Sequence, residues 1–388
     1  MLGFVQVANR ELKRIAKKRS YIIILFILPI ILFFLFAFLY NKQSIENLPI
    51  GLVDKDNTEL SRKLTTMINS SHLVKIKQRY GDLAAVELAM KNKEIHGAVF
   101  IGNGFEANIK NFKNYDIHMY RSSASMVYGK IMYKALAQTI MTLNAGIVLE
   151  RFKGSGMNKH AAMNLANPIR INAKAMYNAS YNYQNYLVPG LTTVSIQMIL
   201  IMIGVLLINA EKEEETFNDL LEKAKFSASN ILLGKTTVYY LIGMFHFLLL
   251  FGVVFMMFNI PIEGEFIKYF TLFSLFVLAC IAFSMAVSSI VTESLAASDI
   301  AVFYTAPSFV FSGFTFPGWA MPWYDQFYAQ IMPYTAFLDA FILVNAMNSP
   351  WSVIAPHLLK LLTFIFVGYA IAFAVLKVQL VKIKSAIA

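Results

Sequence analysis

The chain has 388 residues, 57% of them hydrophobic and only 15% charged. Soluble domains are usually about 25% charged, so this composition excludes an ordinary water-soluble enzyme. A single cysteine, Cys280, excludes an intrachain disulfide framework, and the six scattered histidines form neither HExxH nor a Cys/His zinc spacing. The net charge of +11 therefore has to be read from where the basic residues sit along the chain.

Residues 1–20 are basic, with Arg10, Lys13, Arg14, Lys17, Lys18 and Arg19. Residues 21–40 then run without a charge. Twenty helical residues rise about 30 Å, enough to cross a hydrocarbon core. Pro29 is tolerable there, and no small-x-small cleavage site follows. Further apolar runs fall at 187–208, 238–258, 267–291, 298–316 and 354–376. The fold class is thus a polytopic α-helical membrane protein with six transmembrane helices. Residues 317–353 are apolar but broken by Pro317, Pro322, Pro333 and Pro350. They read as a re-entrant or surface-lying outer hairpin, shielded by protein so that its backbone is satisfied.

Lysine and arginine placement orients the spans. Residues 1–20, the loop 209–236 and the tail 377–388 carry basic residues, whereas 259–266 and 317–353 carry none. The positive-inside rule then puts both termini in the cytoplasm. Residues 41–186 face outward, and their 19 Lys and Arg do not conflict, because long domains translocate regardless of charge. Four strand-like runs (49–53, 73–78, 97–101, 115–120) alternate with helical patterns near 59–69, 82–92 and 105–111. That alternation predicts a small extracytoplasmic α/β domain between the first two spans. A helical stretch at 125–152 is expected to lead back toward the membrane.

Several motifs carry less than they suggest. Gly102, Gly104 and Ala107 fit GxGxxA, but no acidic residue follows at the spacing of a dinucleotide site, and the motif reads as a strand-to-helix turn. Asp56 with Glu59 reads as a turn and helix cap rather than a cation site. LLGKT at 232–236 ends like a phosphate-binding loop, but Ser229 stands where the first glycine is required. The N-x-[ST] matches at Asn69 and Asn178 are of a kind that chance supplies often. Neither a nucleotide site nor a nucleophile–base set is expected in this chain. His246 is the one histidine in mid-span and reads as a hydrogen-bonded interior residue. Glu293, Asp299, Asp325 and Asp339 lie near span ends or in the hairpin, which disfavours an ion-coupled carrier.

The loop after the second span places six acids between Glu211 and Glu222, with Phe217, Leu220 and Leu221 among them. Such an acidic amphipathic helix on a short loop suggests docking of a partner.

This loop resembles that of the membrane subunits of type-2 ABC exporters, which have E-x-E-x-G-T-x-x-x-L-L followed by L-G-K. The matching residues are Glu211, Glu213, Thr216, Leu220 and Leu221, then Leu233, Gly234 and Lys235; Glu215 replaces the family's glycine. A second match is S-G-x-x-F-P, M-P and P-[LY]-T, at Ser312, Gly313, Phe316, Pro317, Met321, Pro322, Pro333 and Thr335. The resemblance spans essentially the whole chain. It implies a permease subunit of an ATP-driven exporter, with ATP and Mg on a separate cytosolic ATP-binding subunit and no cofactor bound by this chain. A second permease subunit, identical or a sister chain, is implied too; a periplasmic adaptor is left open, and no nucleic acid is involved. Residues 1–20 would be a connecting helix on the inner surface of a bacterial cytoplasmic (inner) membrane, in contact with membrane lipid. Glu211, Glu213, Thr216, Phe217, Leu220 and Leu221 would form the ATPase-coupling element, with the two acids making charge contacts and the apolar residues packing on the partner. Gly234 and Lys235 would mark the junction with the third span, and the hairpin 317–346 would gate the outer exit. The alternative from the residues alone is an envelope anchor or sensory and assembly protein that uses its outward domain to bind partners.

Overall fold

The structure is a computed structural model and describes residues 3–41, 46–122, 126–154 and 182–387. Residues 155–181, part of the expected outward domain, and the Asn178 motif lie outside the described residues. The chain divides into two compact units, Met1–Gln43 with Ala175–Ala388, and Ser44–Lys174.

The smaller unit is a four-stranded sheet, β1 (Leu48–Asp54), β2 (Val74–Arg79), β3 (Gly97–Ile101) and β4 (His118–Arg121), in the order β2-β1-β3-β4. β1 runs parallel to β2 and β3, while β4 is antiparallel to β3. Crossover helices Glu59–Asn69 and Leu83–Lys91 connect the parallel strands, as parallel pairing requires. The period-two alternation sorts side chains onto two faces. Ile50, Leu52, Val99 and Ile101 share one core with Leu64 and Ile68. Val53 and Ala98 face the other way, against Val86 and Ala89. The helix Met126–Gly154 contributes Met132, Leu136 and Leu143 to the first of these cores, so it belongs to the packing of this unit.

Among the described residues, the larger unit contains six helices long and apolar enough to cross a membrane: Arg19–Leu39, Tyr183–Glu213, Ala228–Met257, Phe266–Ile290, Ser294–Phe311 and Trp351–Ile383. We number them spans 1 to 6. A short amphipathic helix, α1 (Gly3–Lys17), precedes span 1. Span 3 begins ten residues before the apolar run at 238, so the polar loop expected over 209–236 ends at Ser227. Gly234 and Lys235 accordingly lie inside a helix. Helix formation there follows from the Ser227 side chain, which caps the amide of Asn230.

Span 1 shows how a mid-membrane proline is accommodated. Pro29 has no amide to give the carbonyl of Leu25, four residues earlier. The helix widens into a π turn at Ile23–Ile27, and His246 Nε2 lies 2.7 Å from the Leu25 oxygen. A carbonyl only accepts, so the Nε2–H tautomer is present. His246 is thus an interior hydrogen-bonded residue that ties span 3 to span 1.

After span 5 come a turn at Gly318–Ala320, a helix Trp323–Gln330 and a helix Pro333–Asn345, the last two bent by 85°. Pro333–Asn345 is buried among the spans: Phe337 stacks on Phe276 of span 4 at 4.0 Å and meets Phe273 edge-on at 5.0 Å.

Candidate functional site

The richest polar constellation lies where α1, the segment after span 2 and the start of span 3 meet. That segment is two short helices, Asn209–Glu213 and Phe217–Lys223. Between them Glu215 sits in the left-handed region, at φ +59. Only glycine adopts this conformation freely, which accounts physically for the glycine at this place in the loop pattern.

Glu211 is completely buried. Arg10 Nη1 and Nη2 donate to its two carboxylate oxygens at 2.7 and 2.8 Å. Arg14 Nη1 and Lys235 Nζ donate to Oε1 at 2.8 and 2.9 Å, and the Thr216 hydroxyl donates to Oε2 at 2.6 Å. Lys235 also pairs with Glu11, whose other oxygen accepts from the Tyr239 hydroxyl at 3.0 Å. Glu11 and Lys235 are fully buried as well. At the rim, Arg10 pairs with Asp219, and Arg14 and Lys18 pair with Glu214. Burial alone would lower the Arg10 pKa, yet the carboxylates of Glu211 and Asp219 hold it above the ordinary guanidinium range. Burial would raise that of Glu214, but Lys18 and Arg14 hold it below the usual carboxylate range. Buried charges persist only when paired and hydrogen-bonded, and this cluster meets that condition by drawing on three separate segments.

Gly234 makes the meeting possible. A Cβ there would lie 2.6 Å from Val7 Cβ and 2.7 Å from the Phe4 carbonyl, so glycine lets α1 rest directly on span 3. The next residue, Lys235, then reaches both buried acids.

The apolar residues of the segment also turn inward. Phe217, Leu220 and Leu221 are buried in the core of their own chain. These residues, expected to pack on a partner or, for Glu211, to make a charge contact with one, are covered here by their own chain. Glu213 is exposed, and its carboxylate accepts from the Ser294 amide at 2.6 Å, at the start of span 5. The side of the segment open to solvent carries Glu213, Glu214, Glu215, Asp219 and Glu222.

A family model described as ABC-2 family transporter protein matches residues 19–374, nearly the whole chain. The chain belongs to this family. It is 22% identical over 340 residues to "Probable multidrug ABC transporter permease YbhS" of Escherichia coli (strain K12), covering 85% of each chain. The counterpart from Escherichia coli O157:H7 matches to the same extent. This ABC-2 protein is a multipass membrane subunit of an ABC transporter, and membership implies an ATP-binding partner subunit.

The hairpin motif of this ABC-2 subunit is spread over unlike environments. Ser312 is buried and donates to the Phe309 carbonyl at 2.9 Å; Gly313 takes φ +87. Pro317 and Pro322 each precede a helical turn, Met321 is buried between them, and Pro333 opens its helix at the first turn. Phe316, Trp319, Trp323 and Phe327 are exposed. These residues shape a bent connection and do not converge on one point.

Sequence reasoning missed Glu11, Tyr239 and the roles of Arg10 and Arg14. The available signal was Glu11, a lone acid at 1–20 among six basic residues, together with an isolated lysine at the edge of an apolar run.

The glycine motif of the smaller unit also resolves. Asp56 accepts from the amides of Gly104, Phe105 and Glu106 at 2.7, 2.9 and 3.1 Å, and from the Thr58 hydroxyl. Gly104 supplies φ +81 for the turn. The cap of helix Glu59–Asn69 is Thr58 rather than Asp56. Burial would raise the Asp56 pKa, but these donors hold it below its ordinary value.

Proposed function

We propose that this chain is the membrane-spanning half of an ATP-driven exporter that moves a drug, lipid or similar amphiphile outward across the bacterial inner membrane. Lysine and arginine placement supports cytoplasmic termini, a cytoplasmic Asn209–Lys223 segment and an outward-facing α/β unit. ATP and Mg would be held by the partner ATPase, and a second copy or sister chain would complete the pathway. Spans 1, 5 and 6 are largely unburied within the chain, which leaves surface for lipid and for that second subunit. The bent Pro333–Asn345 connection would be re-entrant and gate the outer exit.

The buried Glu211 cluster carries this reading. It makes α1, the segment Asn209–Lys223 and the head of span 3 one mechanical block, with an acidic outer skin. A partner that presses on that skin would move span 3 and, through Glu213 and Ser294, span 5. A state-dependent push of this kind needs contacts that differ between the partner's two states. Reversing Glu215 and Glu222 to Lys should abolish co-purification of an ATPase, or its stimulation, while membrane insertion stays intact. Unchanged ATPase capture and stimulation in that double variant would count against the assignment.

A further inference from the structure

A cavity of about 180 Å³ opens between the first turns of span 2, the connection between spans 3 and 4, and helix Pro333–Asn345. Its chemistry is one-sided. Tyr186 and Phe314 stack at 4.3 Å with nearly parallel rings, and Phe341 adds a third aromatic wall. Among the described residues, the charged residue at its lining is Glu263, and no Lys, Arg or His lines it. The side-chain oxygen of Asn185 is buried there without a hydrogen-bond partner among the described residues. The side-chain oxygen of Asn345 acts as an acceptor, taking the Tyr269 hydroxyl at 2.8 Å. Pro189, four residues after Asn185, has no amide to offer the Asn185 carbonyl. Gly190 brings the walls close: a Cβ there would lie 2.6 Å from the Phe314 ring.

Aromatic walls and one carboxylate offer negative potential, with no cation among the described lining residues. We propose that this cavity is a binding site for an organic cation, in particular the alkylammonium head of an amphiphile. A quaternary ammonium suits such walls because it needs no hydrogen bond and is attracted by the ring faces. The volume admits a headgroup of that size, and the half-exposed Tyr186 leaves its mouth open for an attached tail. The inference deepens the exporter reading by naming a substrate class, and rests on it only for the direction of travel; binding itself needs no ATPase.

The test uses the full chain in nanodiscs of zwitterionic lipid, with calorimetric titration of phenyltrimethylammonium. Its neutral isostere tert-butylbenzene and the anion benzenesulfonate are the controls. The cation should bind and the controls should not. Glu263→Gln should weaken binding about tenfold, with Glu263→Asp recovering part of it. Gly190→Ala, whose Cβ displaces the Phe314 ring that walls the cavity, should weaken it as well. Equal binding of the neutral isostere, wild-type affinity in Glu263→Gln, or no binding of the cation would each overturn the proposal. The same preparation, mixed with the ATPase, separates the two readings. Cation binding without ATPase capture would sink the exporter reading alone, and capture without cation selectivity would sink this one alone.

Discussion

Two carboxylates, one in each unit, hold their surroundings together by different means. In the smaller unit Asp56 gathers three backbone amides and one hydroxyl at the start of helix Phe105–Lys110. In the larger unit Glu211 gathers two arginines, a lysine and a hydroxyl. Backbone donors are supplied by any sequence that makes the turn, so the Asp56 clamp needs little more than an aspartate and a glycine. Side-chain donors must each be encoded, and each is a charge that is costly to strand. The membrane unit therefore depends on several separate residues at once, and its failure should be steeper.

The steepest effect should come from Glu211→Ala. It removes the acid that Lys235 and both arginines share, leaving them only Glu11, Asp219 and Glu214 as ion-pair partners among the described residues, and breaking a buried pair costs about 3–5 kcal/mol. Thermal melts in detergent should show the chain unfolded or severely destabilised. The double change Glu11→Gln with Lys235→Met, which removes a buried pair together, should be milder than Lys235→Met alone. Next is Gly234→Val, whose Cβ would meet Val7 Cβ at 2.6 Å and the Phe4 carbonyl at 2.7 Å, so that α1 must shift. Overpacking of this kind costs about 1–3 kcal/mol, read by the same melts.

His246→Leu should cost about 1–3 kcal/mol by orphaning the Leu25 carbonyl. Pro29→Ala in that background should restore most of the loss, because it returns an amide to that carbonyl. If the double variant is no more stable than His246→Leu, the histidine acts by packing instead.

The Asp56 clamp predicts a pH dependence. Its folded pKa lies below the ordinary 3.8, so its stabilisation is present above about pH 4 and is lost as pH falls through the folded value. Hydrogen exchange at the amides of Gly104, Phe105 and Glu106 should differ between wild type and Asp56→Asn at pH 6, and the difference should shrink below pH 4. Smallest is Glu215→Gly, which relieves the left-handed strain at φ +59 and should raise stability by about 0.5–1 kcal/mol.

The long apolar runs were legible because a bilayer demands length and absence of charge, and both are local properties. Where they began was less so: Ser229 to Thr237 contain Asn230, Lys235 and three hydroxyl residues yet are helical, with Lys235 paired to Glu11 of α1 and Thr236 bonded to Tyr369 of span 6. Which side of the acidic segment faces outward was not legible either. Phe217, Leu220 and Leu221 form an apolar stripe in any reading, but only the fold shows that the chain covers it itself. The left-handed φ at Glu215 was hidden by a residue type that rarely takes it.

That self-covered stripe has a consequence for association. With its apolar residues sealed by the chain's own helices, the segment presents a charged, wetted skin. On the proposed reading that skin is what the ATPase meets, and an association made through exposed charges is screened by salt and free to be reversible.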